Sequence, residues 1–144
     1  MNKPITIKNI IEITNGKLIC GNENAICEDF SKDTREITKG QMYVGIQGEK
    51  FNGSTLYEQA LEKGACGCIL QNVEVDSKIL QKYPNAIIII VENTVTALQK
   101  MAAYKRNLYQ IPVVAITGSV GKTSTKDIVA NVVSQKYKTL KTVG

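Results

Sequence analysis

The sequence predicts an α/β protein: a small N-terminal α/β domain followed by the first strand, loop and helix of a second α/β unit. Short apolar runs alternate with helical patterns along most of the 144 residues, and 43% of the residues are hydrophobic, enough to bury a core. Four consecutive isoleucines at 87–90 form the pattern of a strand buried on both faces. A glycine-rich turn at 118–121 then separates an apolar run from a helical segment.

The N-terminal elements follow from capping residues and periodicity. Thr6 is suited to cap a helix that begins at Ile7, and Asn15 and Gly16 provide its left-handed end. The pattern then predicts strands at 17–20 and 25–30, a loop at 31–41, a strand at 42–46, a helix at 54–63 ended by Gly64, a strand at 66–70, a helix at 77–83 and a strand at 86–91.

A domain boundary is predicted near residue 110. Asn93 or Thr94 can cap a long helix, which ends before Pro112 because a residue preceding proline disfavours the helical region. We assign 1–109 to an N-terminal domain with its linker helix and 110–144 to the incomplete start of a second domain. For the latter we predict a strand at 113–117, a helix at 122–135 with Ile128, Val129, Val132 and Val133 inward, and a further strand at 138–142.

Charge and composition indicate which kinds of ligand and which cellular location fit this sequence. The formal charge is +5 at pH 7, which suits an anionic partner, but basic residues are scattered and aromatic residues make up only 6%. Phosphates on a small ligand are therefore favoured over nucleic acid. No signal core opens the sequence and no apolar run approaches the roughly 20 residues that span a bilayer, so we expect a cytoplasmic protein without membrane insertion. With no His in the sequence, the four cysteines are interpreted as small reduced thiols in place of a zinc site.

The segment from residue 117 to residue 124 carries the sharpest functional signal. Between a strand and a helix, such a glycine-rich turn lets backbone N–H groups converge on phosphate oxygens at a helix N-terminus. Lys122 can reach the β- and γ-phosphates, and the Thr123 hydroxyl can join a Mg²⁺ shell. Ile116 stands where the general pattern has its first glycine, so an ordinary turn with an exposed lysine is the alternative. The predicted ATP contacts are Thr117, Gly118, Ser119, Val120, Gly121, Lys122, Thr123 and Ser124.

A second segment, from residue 31 to residue 53, combines polar side chains with glycines. Thr34 and Arg35 offer a hydroxyl and a fork of donors to a diphosphate, and Gly48 and Gly53 permit close approach of the backbone to a ligand. The alternative for Arg35 is a local salt bridge with Asp33 that organises the loop.

These two segments resemble the Mur ligases, whose ATP loop has the same Thr-Gly before Gly-Lys-Thr. The resemblance implies a UDP-substrate-binding domain followed by a P-loop ATPase domain that uses ATP and Mg²⁺, with Lys122 acting on the transferred phosphoryl group and Thr123 holding the metal. A UDP-N-acetylmuramoyl peptide and D-alanyl-D-alanine are the implied substrates, because the loop and residues 138–144 look most like the dipeptide-adding member. The implied UDP-sugar contacts are Ser31, Thr34, Arg35, Gly48, Lys50, Phe51, Asn52 and Gly53.

The same resemblance places the rest of the central domain and a C-terminal domain beyond Gly144, so we expect this polypeptide to bind its ligands without catalysing ligation. The family pattern often has Asp-Gly-His where this sequence has Asn52, Gly53 and Ser54. Three other hypotheses stay open: an amino-acid-adding Mur ligase such as the tripeptide synthetase, a generic P-loop NTPase, and a non-catalytic module that binds UDP precursors.

Overall fold

The computed structural model describes residues 3–143, and the chain divides into two compact units, Met1–Tyr109 and Gln110–Gly144. We call them unit 1 and unit 2. Unit 1 contains strands β1 (Ile5–Thr6), β2 (Lys17–Cys20), β3 (Ile26–Cys27), β4 (Phe30–Ser31), β5 (Met42–Val44), β6 (Gly67–Leu70) and β7 (Ile87–Ile90), and helices α1 (Ile7–Thr14), α2 (Tyr57–Glu62), α3 (Ser77–Lys82) and α4 (Thr94–Asn107). A 3-10 turn, Gly53–Leu56, leads into α2.

Unit 1 is organised around a five-stranded sheet with the order β2-β7-β6-β5-β4. The pairs from β4 to β7 are parallel, and β2 pairs antiparallel with β7 at one edge. Strands β1 and β3 form a separate antiparallel pair. The crossover helices and turns between parallel strands place the carboxyl ends of β4, β5 and β6 at one edge of the sheet, where α/β proteins commonly bind ligands.

Two hydrophobic clusters cover the sheet, one on each face, since successive strand residues alternate between them. Ile69 and Ile89 belong to the cluster that includes residues of α1 and α4, whereas Cys68 and Ile88 belong to the cluster with α2. All four side chains are fully buried. The isoleucine run therefore contributes to both cores, which confirms the prediction of a strand buried on both faces.

Most predicted elements of unit 1 are confirmed, with two corrections. Thr6 caps α1 by accepting a hydrogen bond from Asn9 N, and Asn15 ends it with φ 53°. The single strand predicted at 25–30 is wrong. It is split into β3 and β4, and the Asp29 carboxylate accepts the Phe30 N–H at 2.9 Å in the short irregular segment between them. The helix predicted from residue 54 starts as the 3-10 turn, because the Asn52 side chain caps that turn at Ser54 N.

Unit 2 contains one helix, α5 (Lys122–Ser134), within its described residues. The strands predicted at 113–117 and 138–142 are absent, and the four residues predicted to face inward are not buried: Ile128 is 63% exposed and Val132 67%. A strand requires a hydrogen-bonding neighbour, and residues 110–143 supply none. Local apolar patterning therefore produced the helix but not the predicted sheet or core.

The remaining expectations concern cysteines and membranes. The four cysteines are free thiols, with Cys27 and Cys68 buried and Cys20 and Cys66 half-buried. The hydrogen bond between the Cys27 and Cys66 thiols lowers the pKa of Cys66 and raises the pKa of Cys27. Across residues 3–143, every helix is too short or too polar to cross a bilayer.

Candidate functional site

A cavity of about 440 Å³ lies in unit 1 beyond the carboxyl ends of β4 and β5. Its walls come from the segment after β4, from β5 itself and from the segment that leads into α2. The lining residues are Lys32, Asp33, Thr34, Arg35, Tyr43, Ile46, Phe51, Gly53, Leu56 and Gln59. Four residues predicted from the sequence to bind the UDP-sugar, Thr34, Arg35, Phe51 and Gly53, are among them.

Thr34 is held at the base of the cavity by two interactions. Its hydroxyl donates to Gln59 Oε1 at 2.5 Å, and its carbonyl accepts a hydrogen bond from Lys63 Nζ at 2.7 Å. Only 4% of Thr34 is exposed. Because Gln59 lies on α2, these bonds attach the loop after β4 to the helix on the far side of the cavity.

Asp33 and Arg35 form the salt bridge that the sequence offered as the alternative. Arg35 Nη2 donates to Asp33 Oδ2 at 2.6 Å, and Nε donates to both carboxylate oxygens. The Arg35 side chain is nevertheless 85% exposed. Arg35 holds the pKa of Asp33 at about 2, mainly through these side-chain hydrogen bonds. The guanidinium is thus pre-oriented at the rim of the cavity by a carboxylate that is ionised at neutral pH.

Tyr43 and Gly53 form the wall nearest the sheet. The Tyr43 hydroxyl donates to Gly53 O at 2.8 Å, and burial raises the pKa of Tyr43 to about 12, so the phenol stays protonated. A β-carbon at Gly53 would lie 2.6 Å from Ile46 O, so glycine is required at this position. The backbone here approaches Ile46, just after β5, more closely than a residue with a side chain would allow.

Phe51 presents an aromatic ring at the mouth of the cavity with 56% of the residue exposed. Lys32, also exposed, contributes a second cation beside Arg35. An exposed ring next to two cations is suited to a ligand that has both a flat heterocycle and phosphate groups.

Four of the predicted residues do not line the cavity, and three of them have structural contacts. Ser31 Oγ donates to Asp33 O in a local turn, and Gly48 N donates to Phe51 O. Asn52 accepts from Ser54 N and donates to the carbonyls of residues 71 and 72. Lys50 is exposed. Ser31 therefore shapes the segment after β4, and Gly48 and Asn52 shape the loop beside the cavity.

No role was predicted from the sequence for Lys32, Tyr43 or Gln59, which all line the cavity. Gln59 lies 25 residues from the threonine that it binds, so only the folded chain brings the two together. Tyr43 lies in an apolar strand pattern, where a buried aromatic residue normally indicates core. A basic residue at 32 was the one signal that the sequence could have supplied.

A second cavity of about 490 Å³ lies against α4 and is lined by Ile5, Glu28, Asp29, Phe30, Leu98, Met101, Ala102 and Lys105. Its lining combines two carboxylates with one lysine, and most of the rest is apolar. It has neither the glycine backbone nor the clustered cations of the first cavity, so the first is the better candidate for an anionic ligand.

In unit 2, the residues predicted as the phosphate loop lead directly into α5. Gly121 precedes the helix with φ 81° and ψ 0°, a left-handed conformation that favours glycine, and no side chain caps the first turn. Lys122 Nζ donates to Gly118 O at 2.5 Å across the loop. The first-turn N–H groups, Lys122 and the exposed Thr123 therefore lie at one helix end, an arrangement suited to phosphate.

Residues 116–144 match the family model of the Mur ligase middle domain. The chain is 35% identical over 141 residues to UDP-N-acetylmuramoyl-tripeptide--D-alanyl-D-alanine ligase of Bacillus subtilis (strain 168), an alignment that covers 96% of this chain and 30% of that protein. The chain thus spans about 30% of the length of this relative.

Solved structures give the same result. A crystal structure of MurF from Acinetobacter baumannii superposes with a TM-score of 0.83 at 26% identity, covering 99% of this chain and 30% of that one. MurF ligase from Thermotoga maritima, crystallised in complex with ADP, matches with a TM-score of 0.62 at 32% identity, covering 75% of this chain and 23% of its own.

The fold and the two candidate sites combine an α/β architecture with a glycine turn at the start of α5 and, in unit 1, a cavity whose lining includes Lys32, Arg35 and Phe51. Together with the sequence and structural matches, they show that the chain belongs to the Mur ligase family.

Proposed function

We propose that the protein functions in the ATP-dependent ligation of D-alanyl-D-alanine to UDP-N-acetylmuramoyl-tripeptide, a cytoplasmic step of peptidoglycan precursor synthesis. Unit 1 supplies the site for the UDP end of the nucleotide substrate, and unit 2 supplies the loop for the ATP phosphates. The observation that carries the proposal is the cavity formed around Thr34, Arg35 and Phe51, in a chain that also has Gly-Lys-Thr at a helix start. The similarity to ligases with this activity supports the same conclusion.

The chemistry of the cavity supports a uridine diphosphate ligand. Arg35 uses Nε and Nη2 to bind Asp33, which leaves Nη1 for a phosphate oxygen, and Lys32 adds a second positive charge. The exposed ring of Phe51 offers a face on which a pyrimidine can stack. The volume of about 440 Å³ is in the range of small-ligand sites.

The start of α5 supports binding of the ATP phosphates. Gly121 has no side chain to cap the helix, so the N–H groups of the first turn can donate to phosphate oxygens while the helix dipole favours the negative charge. Lys122 would exchange its bond to Gly118 O for the β- and γ-phosphates, and Thr123 would hold Mg²⁺. Mg²⁺ bound there would neutralise charge that develops on the phosphates.

In the proposed reaction, the terminal carboxylate of the tripeptide receives the γ-phosphoryl group, and the amine of D-alanyl-D-alanine displaces phosphate to form the amide. Lys122 offsets the negative charge of the phosphoryl group during its transfer. The residues of unit 1 bind the UDP end, far from the reacting carboxylate, and so contribute to orientation and affinity.

Calorimetric titration with UDP-N-acetylmuramoyl-tripeptide and with Mg-ATP tests the proposal. Arg35→Ala should weaken binding of the UDP ligand by about 10- to 100-fold, because it removes a charge-assisted hydrogen bond. Lys122→Ala should abolish ATP binding and leave UDP-ligand binding unchanged. Lys8→Ala is the matched control: it also removes one exposed cation, but from α1, and it should change neither affinity.

The alternatives give different results in the same titrations. A generic P-loop NTPase would bind Mg-ATP and not the UDP ligand, and a precursor-binding module would bind the UDP ligand and not ATP. An amino-acid-adding ligase would bind the UDP-linked dipeptide better than the tripeptide. Failure of Arg35→Ala to weaken UDP-ligand binding would remove the cavity from the proposed site.

A further inference from the structure

The loop that borders the first cavity, residues 47–53, is exposed over most of its length and is called here the cavity loop. It contributes Phe51 and Gly53 to the cavity wall. Its own backbone bonds are few: an isolated bridge between Gln47 and Asn52, a bond from Gly48 N to Phe51 O, and one from Gly53 N to Ile46 O. Such a short, exposed hairpin has little intrinsic stability, so its position depends on contacts with the rest of the unit.

Gln71, directly after β6, makes the main contact of this kind. It is 5% exposed, and its Oε1 accepts two hydrogen bonds from Thr94, one from the backbone N at 2.5 Å and one from Oγ1 at 2.8 Å. The Thr94 N–H can only donate, so it fixes which side of the carboxamide is oxygen. The Nε2 group must then point the other way, where it donates to Gln47 Oε1 at 2.7 Å.

Neighbouring groups attach both ends of the loop to the same place. Asn72 Nδ2 also donates to Gln47 Oε1, at 3.0 Å. Asn52 Nδ2 donates to the carbonyls of Gln71 and Asn72, at 3.3 and 3.2 Å. An aspartate at position 52 could not make these two bonds, because a carboxylate lacks the donor. The residues Gln47, Asn52, Gln71, Asn72 and Thr94 form what we call the amide clamp.

We infer that Gln71 is a positioning residue: through Gln47 and Asn52 it holds the cavity loop in the geometry that places Phe51 beside the ligand. The identity of that ligand as a uridine nucleotide rests on the proposed function. The positioning of the cavity loop by the amide clamp does not depend on it. Gln71 itself lies outside the cavity lining and acts through the clamp.

Amide hydrogen exchange of the ligand-free protein tests the clamp. Gln47→Leu removes the acceptor from an exposed position, so folding should be unaffected, and exchange at Gly48 and Gly53 should be about 3- to 10-fold faster, as expected for loss of ordinary hydrogen bonds. Gln47→Glu keeps an acceptor for both donors and should restore slow exchange. Gln71→Met should accelerate the same amides. If the loop amides of Gln47→Leu exchange at the wild-type rate, the inference is wrong.

Affinity for UDP separates positioning from a purely structural role. Gln71→Met and Gln47→Leu should each weaken UDP binding by about 3- to 10-fold while the melting temperature of Gln47→Leu stays at the wild-type value. Unchanged UDP affinity in a variant with faster loop exchange would overturn the positioning role. If wild-type protein does not bind UDP, the proposed function fails, and the exchange result alone decides whether the clamp holds the loop.

Discussion

The two units of this chain differ in how much of their apolar sequence is buried in a packed core. Unit 1 buries both faces of a five-stranded sheet, including the fully enclosed Ile69, Ile88 and Ile89. In unit 2, α5 contains no buried residue, and Val113, Val114 and Val132 are each more than half exposed. Apolar residues are available in both, so composition does not explain the difference.

The difference in burial arises from the number of neighbouring strands and helices that are available for packing. Strand β7 has neighbours on both sides and helices on both faces, whereas residues 113–117 have no strand beside them among the described residues of unit 2. The turn at 118–121 and the start of α5 nevertheless form, because both depend on the left-handed conformation of Gly121 and on helical hydrogen bonds within a few residues, such as Thr125 N to Gly121 O. The conformation of this turn is therefore set by nearby residues, whereas a sheet and a core require partners from distant parts of the chain.

Substitution of one isoleucine in each unit should give the largest contrast. Ile89→Ala removes a fully buried side chain and should lower the free energy of unfolding by roughly 2–5 kcal/mol. Ile128→Ala, at a residue that is 63% exposed, should change it by less than about 0.5 kcal/mol. Urea unfolding followed by circular dichroism measures both. Equal effects would show that Ile128 is buried in solution and would break the comparison.

Glycine substitutions should give a smaller contrast of a different origin. A β-carbon at Gly67 would collide with the backbone carbonyl and side chain of Ile87 on the adjacent strand, so Gly67→Ala should cost roughly 1–3 kcal/mol through overpacking. A β-carbon at Gly121 would have no atom within 4 Å outside the adjacent residues and the backbone of its own helix. Gly121→Ala should therefore lower the free energy of unfolding by only the cost of the left-handed conformation, about 1–2 kcal/mol, with an effect confined to the start of α5.

Residue-resolved hydrogen exchange distinguishes the two glycine effects. Gly67→Ala should accelerate exchange throughout β6 and β7, because it weakens the whole sheet. Gly121→Ala should affect the first turn of α5 alone. Sheet-wide acceleration by Gly121→Ala would contradict a purely local origin of the loop.

The ion pairs Asp33–Arg35 in unit 1 and Asp127–Lys141 in unit 2 should differ in a carboxyl titration. Asp33 receives several hydrogen bonds from Arg35, which lower its pKa from 3.8 to about 2. The pKa of Asp127 is lowered mainly by one hydrogen bond from Lys141. A depressed folded-state pKa means that the Asp33 contribution to stability is complete above about pH 4 and is lost as the pH falls through 2. Carboxyl NMR chemical shifts measure each pKa.

Arg35→Lys is the control for this titration, since it keeps the charge and removes the forked geometry. In that variant the pKa of Asp33 should move toward its ordinary value. A midpoint for Asp33 that is unaffected by Arg35→Lys would mean that charge alone, and not the fork, lowers its pKa.

The sequence by itself determined those features that depend on neighbours in the chain. Thr6 and Asn15 bound α1, the isoleucine run forms a strand buried on both faces, and the glycine turn before Lys122 leads into the predicted helix. Thr34, Arg35, Phe51 and Gly53 were also predicted from the sequence as ligand contacts, and all four line the cavity.

Only the tertiary structure decided which of those residues face a cavity and what holds them there. Gln59 binds Thr34 across 25 residues, and Gln71 reaches Gln47 and Thr94 across 24 and 23. The prediction of a strand at 113–117 was wrong because a strand, like these contacts, depends on a partner that is distant in the chain. Hydrogen-bond partners distant in the chain have no local signature, whereas caps, turns and periodicity are set by atoms a few residues apart.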